Sequence, residues 1–198
     1  MKNILRIIIK GLVRFFYLIV FRVKKIDEKN IPKEGAFIMA ANHVSNWDPA
    51  ALVTCTKRKM NIMAKSSLFK NKFLNFVGRT FDAIPVNREK LGAETIKLAY
   101  KTIKNNEILA IFPEGTRRGL SKGGKIKTGA AYFALVTGVP VIPVGIKGEY
   151  KPFTKITLKY GEPLDFSKFQ TKKPEKELLD KISNEIMENI IRLTNECP

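Results

Sequence analysis

Short apolar runs alternate with helix-like segments along most of this chain, and this alternation restricts the fold more than any other feature. The run GAFIMAAN at 35–42 suits a buried strand, and 107–112 and 139–146 have the same character. Between these runs, 89–106 and 128–136 carry apolar residues at helical spacing. Strands that alternate with helices predict an α/β domain with a central, mostly buried, mixed sheet flanked by helices.

The same patterns predict further elements within one domain. Strands are expected over 60–65, 81–86 and 153–164, helices over 49–56 and 173–193, and an apolar helix or loop over 67–78. A chain of 198 residues, of which 44% are hydrophobic and 27% charged, is long and apolar enough for one core of ordinary size.

The N-terminal segment 4–22 is rich in large apolar side chains, but its charges argue against a membrane span. The longest uncharged run, Phe15–Phe21, has seven residues, whereas crossing a bilayer takes about 20. Arg6, Lys10 and Arg14 recur every four residues and form one basic stripe on a helix. Such a helix can lie in the membrane interface with its apolar face in the lipid and its charges at the headgroups.

Two alternatives exist for this segment, a helix packed on the core of the domain and a cleaved signal peptide. The second is disfavoured because no small-x-small cleavage site follows the apolar part. Arg22, Lys24 and Lys25 follow the helix and are suited to anionic headgroups. We therefore predict a membrane-associating helical segment over 1–26 and the main domain over 27–198.

The charge balance indicates acidic partners. Thirty-six Lys and Arg residues against eighteen Asp and Glu residues give a formal net charge of +18. Such a surface attracts anionic lipid, phosphorylated substrates, an acidic carrier protein or nucleic acid. Nucleic acid is the least favoured, because the lysines are spread along the chain and no nucleic-acid-binding motif occurs. One histidine and two cysteines cannot supply a four-ligand zinc site, so no metal is predicted.

The stretch NHVSNWDP, residues 42–49, contains the only histidine of the chain, followed five positions later by an aspartate. His43 can act as a general base if the carboxylate of Asp48 accepts its second N–H. The pair can meet only if the backbone bends between them, and Asp48-Pro49 is a helix-start signal that supplies such a bend. The alternative is that Asp48 only caps a helix and His43 is incidental.

A second cluster of polar residues, AIFPEGTRRG at 110–119, follows a buried strand. The carboxyl end of such a strand is where α/β folds place their sites. The cluster supplies a carboxylate, a permissive backbone and donors for an anion, namely Glu114, Gly115, Thr116, Arg117 and Arg118. The alternative is an exposed basic turn. A nucleotide-binding P-loop is excluded, because Ile126 stands where Ser or Thr would bind magnesium.

Taken in order, these motifs resemble those of the glycerolipid acyltransferase family, the 1-acylglycerol-3-phosphate (lysophosphatidate) acyltransferases. NHVSNWD matches the family's NHx4D motif at Asn42, His43 and Asp48, and FPEGTR matches its third block over Phe112–Arg117.

Two further blocks and one connecting segment extend the resemblance. FDAIPVNR resembles the second block with Arg88 at its arginine, and VIPVGI the fourth block around Pro143. MAKSSLF carries Lys65 at the family's usual lysine. Asn87 departs from the bulky residue usual before the arginine, which puts substrate preference in doubt.

The resemblance implies a reaction. A fatty acyl group would pass from a thioester donor, acyl-CoA or acyl carrier protein, to the free sn-2 hydroxyl of 1-acylglycerol-3-phosphate, making phosphatidic acid in phospholipid biosynthesis. No G-x-S-x-G nucleophile elbow is present, so direct attack is expected rather than an acyl-enzyme, and Ser45 is disfavoured as a nucleophile. Backbone N–H groups near the NHx4D motif would stabilise the oxyanion. No metal or redox cofactor is implied.

The resemblance also implies roles for particular residues. His43 would be the general base and Asp48 would orient its imidazole. Substrate binding would fall to Lys65, Arg88, Glu114, Gly115, Thr116 and Arg117. Arg117 has an alternative role as a structural partner of Glu114.

The expected partners are an anionic membrane surface, lysophosphatidic acid and the acyl donor, with no nucleic acid. The expected location is peripheral, on the cytoplasmic face of the cell membrane, and 27–198 would be the acyltransferase domain. Two alternatives remain, an acyltransferase for another lysophospholipid and a basic lipid- or nucleic-acid-binding protein without activity.

Overall fold

Six helices and seven strands make up the described part of the chain. The computed structural model describes residues 2–56, 58–87, 91–117, 119 and 123–198. The helices are α1 (Lys2–Val20), α2 (Asp48–Cys55), α3 (Lys72–Thr80), α4 (Ala93–Lys104), α5 (Gly129–Thr137) and α6 (Lys176–Glu196). The strands are β1 (Arg22–Ile26), β2 (Phe37–Ala41), β3 (Met60–Lys65), β4 (Ile84–Val86), β5 (Ile108–Ile111), β6 (Val141–Lys147) and β7 (Lys155–Tyr160).

The strands form one mixed sheet in the order β1-β7-β6-β2-β5-β3-β4. Strands β6, β2, β5, β3 and β4 are parallel to their neighbours in this row, whereas β7 runs antiparallel to β6 and carries β1 in parallel. The predicted α/β fold with a central mixed sheet is therefore confirmed. Parallel strands also place the carboxyl ends of β6, β2, β5, β3 and β4 at one edge of the sheet.

Side chains alternate between the two faces along each central strand. In β2, Phe37 and Met39 join one core cluster, and Ile38 and Ala40 join the other. Helices α1 and α2 cover the first face, and α4, α5 and α6 cover the second. All five β2 residues are buried because both faces of the strand are covered. This rigid central strand ends immediately before the histidine motif.

Helix α6 lies unusually close to β6. A Cβ added to Gly145 would lie 2.5 Å from the backbone nitrogen of Thr194, so only glycine lets the helix approach this near. Helix α5 ends before Gly138, whose φ of +70° forms a left-handed cap that favours glycine.

Three element predictions need correction or refinement. Residues 22–26, predicted as the end of the membrane-associating helical segment 1–26, instead form strand β1, which pairs in parallel with β7, so the sheet begins before residue 27. The ambiguous segment 67–78 is a 3₁₀ segment, Ser66–Lys70, followed by α3. The strand expected over 81–86 is shorter, because it begins only at Ile84.

The N-terminal helix is confirmed as an element, and its lipid contact remains a prediction. Among the described residues, no helix is both long and apolar enough to cross a membrane. Two residues of the predicted basic stripe, Arg6 and Lys10, have side chains outside the described part, and Arg14 is exposed. The helix also packs on the core through Tyr17, which is buried, so the alternative of core packing holds for this face.

Candidate active site

His43 lies at the carboxyl edge of the sheet, in the loop that joins β2 to α2. Because β2 pairs with β5 on one side and with β6 on the other, the loops after all three strands meet here. The edge formed by the carboxyl ends of parallel strands is where α/β folds bind ligands.

The imidazole of His43 and the carboxylate of Asp48 are in contact, as the motif predicts. Nδ1 of His43 lies 2.8 Å from Oδ2 of Asp48, which is completely buried. The same Oδ2 accepts backbone N–H bonds from Val44 and Ser45, both 2.7 Å. The loop therefore turns around the carboxylate and brings two residues five positions apart into one pair.

The direction of the Asp48 side chain argues against the alternative that Asp48 only caps helix α2. Helix α2 does begin here, with Trp47 as its N-cap residue and Pro49 in its first turn. The hydrogen bonds of the Asp48 carboxylate, however, come from the preceding loop and from His43, not from the first-turn amides of the helix. The same turn between β2 and α2 therefore both starts the helix and brings His43 into contact with Asp48.

The contact with Asp48 assigns the tautomer of His43. A buried carboxylate acts as an acceptor, so the proton lies on Nδ1 and the lone pair on Nε2. The His43 ring also stacks on Phe112, with centroids 4.4 Å apart and planes inclined by 25°. With its side chain 11% exposed, His43 is held in one orientation and still reaches the surface of the site.

The start of the histidine loop is fixed from both neighbouring strands. The backbone N–H of His43 donates to Oε1 of Glu114, after β5, at 2.9 Å. The amide of Asn42 donates to the carbonyl oxygen of Ile146 in β6 at 2.8 Å and accepts its N–H at 2.7 Å. Both anchoring side chains are buried. His43 is therefore positioned by Glu114 on one side and by Asn42 on the other.

These bonds revise the expectation for the oxyanion. The N–H groups of His43, Val44 and Ser45 are committed to the carboxylates of Glu114 and Asp48. In this arrangement they cannot donate to a developing oxyanion, which needs donors directed at the reacting carbonyl. These three amides are therefore unavailable for that role, and stabilisation of the oxyanion by other backbone N–H groups near the motif stays a prediction.

The loop after β5 turns sharply at Gly115. Its φ of +65° favours glycine, and a Cβ there would meet the Lys127 side chain at 2.9 Å. The N–H of Gly115 donates to the Phe112 carbonyl oxygen at 3.0 Å, which closes the turn. Thr116 and Arg117 follow with exposed side chains. The loop therefore combines a buried carboxylate with exposed donors, as the motif predicts.

The remaining predicted substrate-binding residues belong to the next two strands. Lys65 ends β3, which neighbours β5, and its side chain is exposed. At a spacing of about 4.8 Å per strand, β3 lies about 10 Å from β2 at the same edge. Arg88 lies outside the described residues, two positions after the end of β4. Arg118 also lies outside them.

A metal site needs three or more ligating side chains close together. Within the described part of the chain, no group of three or more His, Cys, Asp or Glu side chains is placed to hold a metal ion. The absence of a metal and of a redox cofactor stays a prediction.

An aromatic cluster that the sequence reading missed joins α1 to the histidine loop. The hydroxyl of Tyr17 donates to the backbone carbonyl oxygen of Trp47 at 2.5 Å. The Trp47 ring lies 6.3 Å from both the Tyr17 and Phe21 rings, measured between centroids. The available signal was Tyr17 in the run RFFYLIVF, because a buried tyrosine hydroxyl usually needs a hydrogen-bond partner in the protein. The N-terminal helix thus packs beside the residue that precedes Asp48.

Comparison with known proteins places these features in a family. The sequence matches the Acyltransferase family over residues 22–147. It is 33% identical over 181 residues to a 1-acyl-sn-glycerol-3-phosphate acyltransferase of Bacillus subtilis (strain 168), covering 88% of this chain and 89% of that protein. A protein with the same name from Streptococcus pneumoniae (strain ATCC BAA-255 / R6) is 31% identical over 81% of this chain and 61% of its own length.

The fold agrees with a solved structure. The crystal structure of the 1-acyl-sn-glycerophosphate (LPA) acyltransferase PlsC from Thermotoga maritima superposes with a TM-score of 0.68 at 26% identity, covering all of this chain and 85% of that one. The matched region holds the His43–Asp48 pair and the loop after β5. The chain therefore belongs to the Acyltransferase family.

Proposed function

We propose that this protein is a 1-acylglycerol-3-phosphate acyltransferase that moves a fatty acyl group from a thioester to the free sn-2 hydroxyl of lysophosphatidic acid, forming phosphatidic acid. The observation that carries the proposal is the 2.8 Å contact between Nδ1 of His43 and the buried carboxylate of Asp48, which leaves Nε2 to accept a proton. The names of the relatives from Bacillus and Thermotoga support the reaction and the acceptor.

In the proposed reaction, the acceptor hydroxyl oxygen attacks the thioester carbonyl carbon while its proton passes to Nε2 of His43. Asp48 stabilises the imidazolium that forms, as a carboxylate does in a histidine pair. Collapse of the tetrahedral intermediate breaks the carbon–sulfur bond, and the leaving sulfur takes the proton from the imidazolium. The products are the acylated lipid and a free thiol, and His43 returns to its neutral form.

The phosphate of the acceptor would lie beside the loop after β5. Thr116 and Arg117 present exposed donors there, and Gly115 allows close approach of the backbone. The other proposed phosphate ligands are Lys65, which ends β3, and Arg88, which follows β4 in the sequence. An arginine can bind phosphate with two parallel hydrogen bonds, and a lysine can reach it with a flexible side chain.

Glu114 has a proposed role different from that of these cations. Its Oε1 accepts the His43 N–H, so its carboxylate acts first on the position of the base. We propose that Glu114 contributes to substrate binding in two ways. It positions His43 through this hydrogen bond, and it also contacts a hydroxyl group of the substrate directly.

The membrane is the proposed source of the acceptor. The outward side chains of α1 are large and apolar, with Ile8, Leu12 and Phe15 each more than half exposed. A helix of this kind binds the lipid interface, and a net charge of +18 favours anionic lipid. We therefore propose a peripheral protein on the cytoplasmic leaflet, with acyl-CoA or acyl carrier protein as donor, without a metal or redox cofactor.

Product analysis tests the proposed acceptor. Purified protein is incubated with long-chain acyl-CoA or with acyl carrier protein that carries the same acyl group as a thioester, together with vesicles that contain lysophosphatidic acid, lysophosphatidylglycerol or no lysolipid. Mass spectrometry is expected to detect phosphatidic acid only where lysophosphatidic acid is present. Preferential acylation of lysophosphatidylglycerol would show that the acceptor is wrong, and no product with either donor would overturn the proposed activity.

A further inference from the structure

A second group of exposed apolar side chains lies away from α1. Seven large hydrophobic side chains of α1 are exposed, and four more occur together in the segment 66–80, namely Leu68, Phe73, Leu74 and Phe76. We name these four the α3 surface. Phe73 is 71% exposed, the largest exposed fraction among the large hydrophobic side chains of the described residues.

The α3 surface contradicts the usual behaviour of an amphipathic helix in a globular domain. Phe73, Phe76 and Val77 are spaced by three and four residues and so share one face of α3. Helices with such a face normally bury it, as α6 does with Ile182, Ile186 and other residues. No residue of α3 is buried. Its apolar face therefore lacks a cover within the described part of the chain.

The segment is nonetheless well ordered by its own contacts. The side chain of Asn71 caps α3 by accepting the Leu74 N–H at 3.1 Å. The Phe69 ring packs so closely on Gly78 that an added Cβ would lie 2.9 Å from it. These contacts hold the 3₁₀ segment Ser66–Lys70 against α3 and keep the apolar face directed outward.

The position of α3 relates it to both α1 and the candidate active site. The 3₁₀ segment starts where β3 ends, at the same edge of the sheet as His43. Phe81, directly after α3, packs on the core cluster that also receives Tyr17 of α1. The segment and α1 therefore lie on the same face of the sheet, and both direct large apolar side chains outward.

Basic residues surround the α3 surface. Lys65, Lys70, Lys72 and Arg79 are exposed within or beside the segment, which contains no acidic residue between 65 and 81. An apolar face with a cationic border matches the interface of an anionic bilayer, where acyl chains lie beneath negative headgroups. The cations alone would also suit a soluble acidic partner, but such a partner does not account for Phe73, which is 71% exposed.

We infer that the α3 surface is a second membrane contact that inserts Phe73 and Phe76 into the leaflet and brings the edge of the sheet with His43 toward the lipid. This inference goes beyond the acyl-transfer reaction, because vesicle binding is measured without turnover. A second copy of the chain and an acidic carrier protein are the alternative occupants.

The first test measures binding to vesicles of equal parts phosphatidylglycerol and phosphatidylcholine. The double variant Phe73→Ser/Phe76→Ser is expected to bind at least about tenfold more weakly, since two phenylalanine side chains lose their transfer from water. The matched control is Phe169→Ser/Ile191→Ser, which changes two exposed hydrophobic side chains elsewhere and is expected to bind like the wild type. Equal binding of both variants would overturn the inference.

The second test locates residue 73 directly. Trp47 is the only tryptophan, so Phe73→Trp in a Trp47→Phe background gives one fluorescent probe. Its emission is expected to shift to the blue and to be quenched by lipids brominated on their acyl chains, whereas Phe169→Trp in the same background is not quenched. A probe at 73 that shifts only with protein concentration, or only with acyl carrier protein, would assign the surface to that partner and contradict the membrane contact.

Discussion

At the scale of single residues, Asp48 organises the site. Its Oδ2 accepts three hydrogen bonds, from the imidazole and from two loop amides. The motif predicts the pair with His43, because a bend before Pro49 can be read from the residue types. It does not predict the bonds made by Glu114 and Asn42, since these depend on β5 and β6 flanking β2. Strand order is a tertiary property that local spacing does not encode.

The substitution Asp48→Asn tests the role of the carboxylate. An amide has no charge to stabilise the imidazolium and no longer fixes the tautomer, so we expect kcat to fall at least about a hundredfold. Steady-state kinetics of thiol release measures it, with exposed Asp180→Asn on α6 as the control. A kcat within a few-fold of wild type would show that Asp48 acts only in folding.

The substitution Asn42→Asp tests the bond to β6. It removes the donor to the Ile146 carbonyl oxygen and sets a carboxylate against it in a buried site, so we expect stability to fall by about 1–3 kcal/mol. Urea unfolding measures the change. Asn189→Asp, which alters an exposed amide on α6, should change stability by less than about 0.5 kcal/mol. Equal effects at the two positions would contradict the positioning role of Asn42.

At the scale of elements, apolar periodicity predicted the buried strands correctly but did not identify the strand at the sheet edge. The prediction of β3 over 60–65 is matched residue for residue, because its apolar run is bounded by charged residues. Strand β1 was missed because Arg22, Lys24 and Lys25 were interpreted as headgroup contacts at the end of the N-terminal segment, although charges are typical of an edge strand. The segment 67–78 stayed ambiguous because its apolar residues do not face the core.

The contact between α6 and β6 gives an element-scale expectation. Gly145→Ala would place Cβ 2.5 Å from the Thr194 nitrogen, so the helix must shift away from the sheet. We expect a loss of about 1–3 kcal/mol, as overpacking of a core costs. Gly129→Ala in α5, where no atom lies within 4 Å of the added Cβ, serves as control and should be neutral or slightly stabilising. Equal unfolding midpoints in urea would show that α6 does not pack as described.

At the scale of the whole molecule, charge and exposed apolar surface favour attachment to an anionic bilayer. Deleting residues 1–22 is a poor test, because it also removes Tyr17 and Phe21, which are buried in the core. The structure offers a cleaner variant. Ile8, Leu12 and Phe15 are exposed on α1, and replacing all three with serine alters only the outer face of the helix.

We expect the triple variant to sediment with anionic vesicles at least about tenfold less strongly than the wild type, because three side chains no longer enter the lipid. Binding of the wild type should weaken as salt rises, because ions screen the attraction of the basic surface to the headgroups. Unchanged sedimentation of the triple variant would contradict the proposed role of α1.

The central claim is that His43 is the base of an acyl transfer, and thiol release tests it most directly. Wild type and His43→Ala are compared with a long-chain acyl-CoA, with and without lysophosphatidic acid in anionic vesicles. The account predicts release that depends on the acceptor and falls at least about a hundredfold in the variant. Release that needs no acceptor, or that survives in His43→Ala, would contradict it.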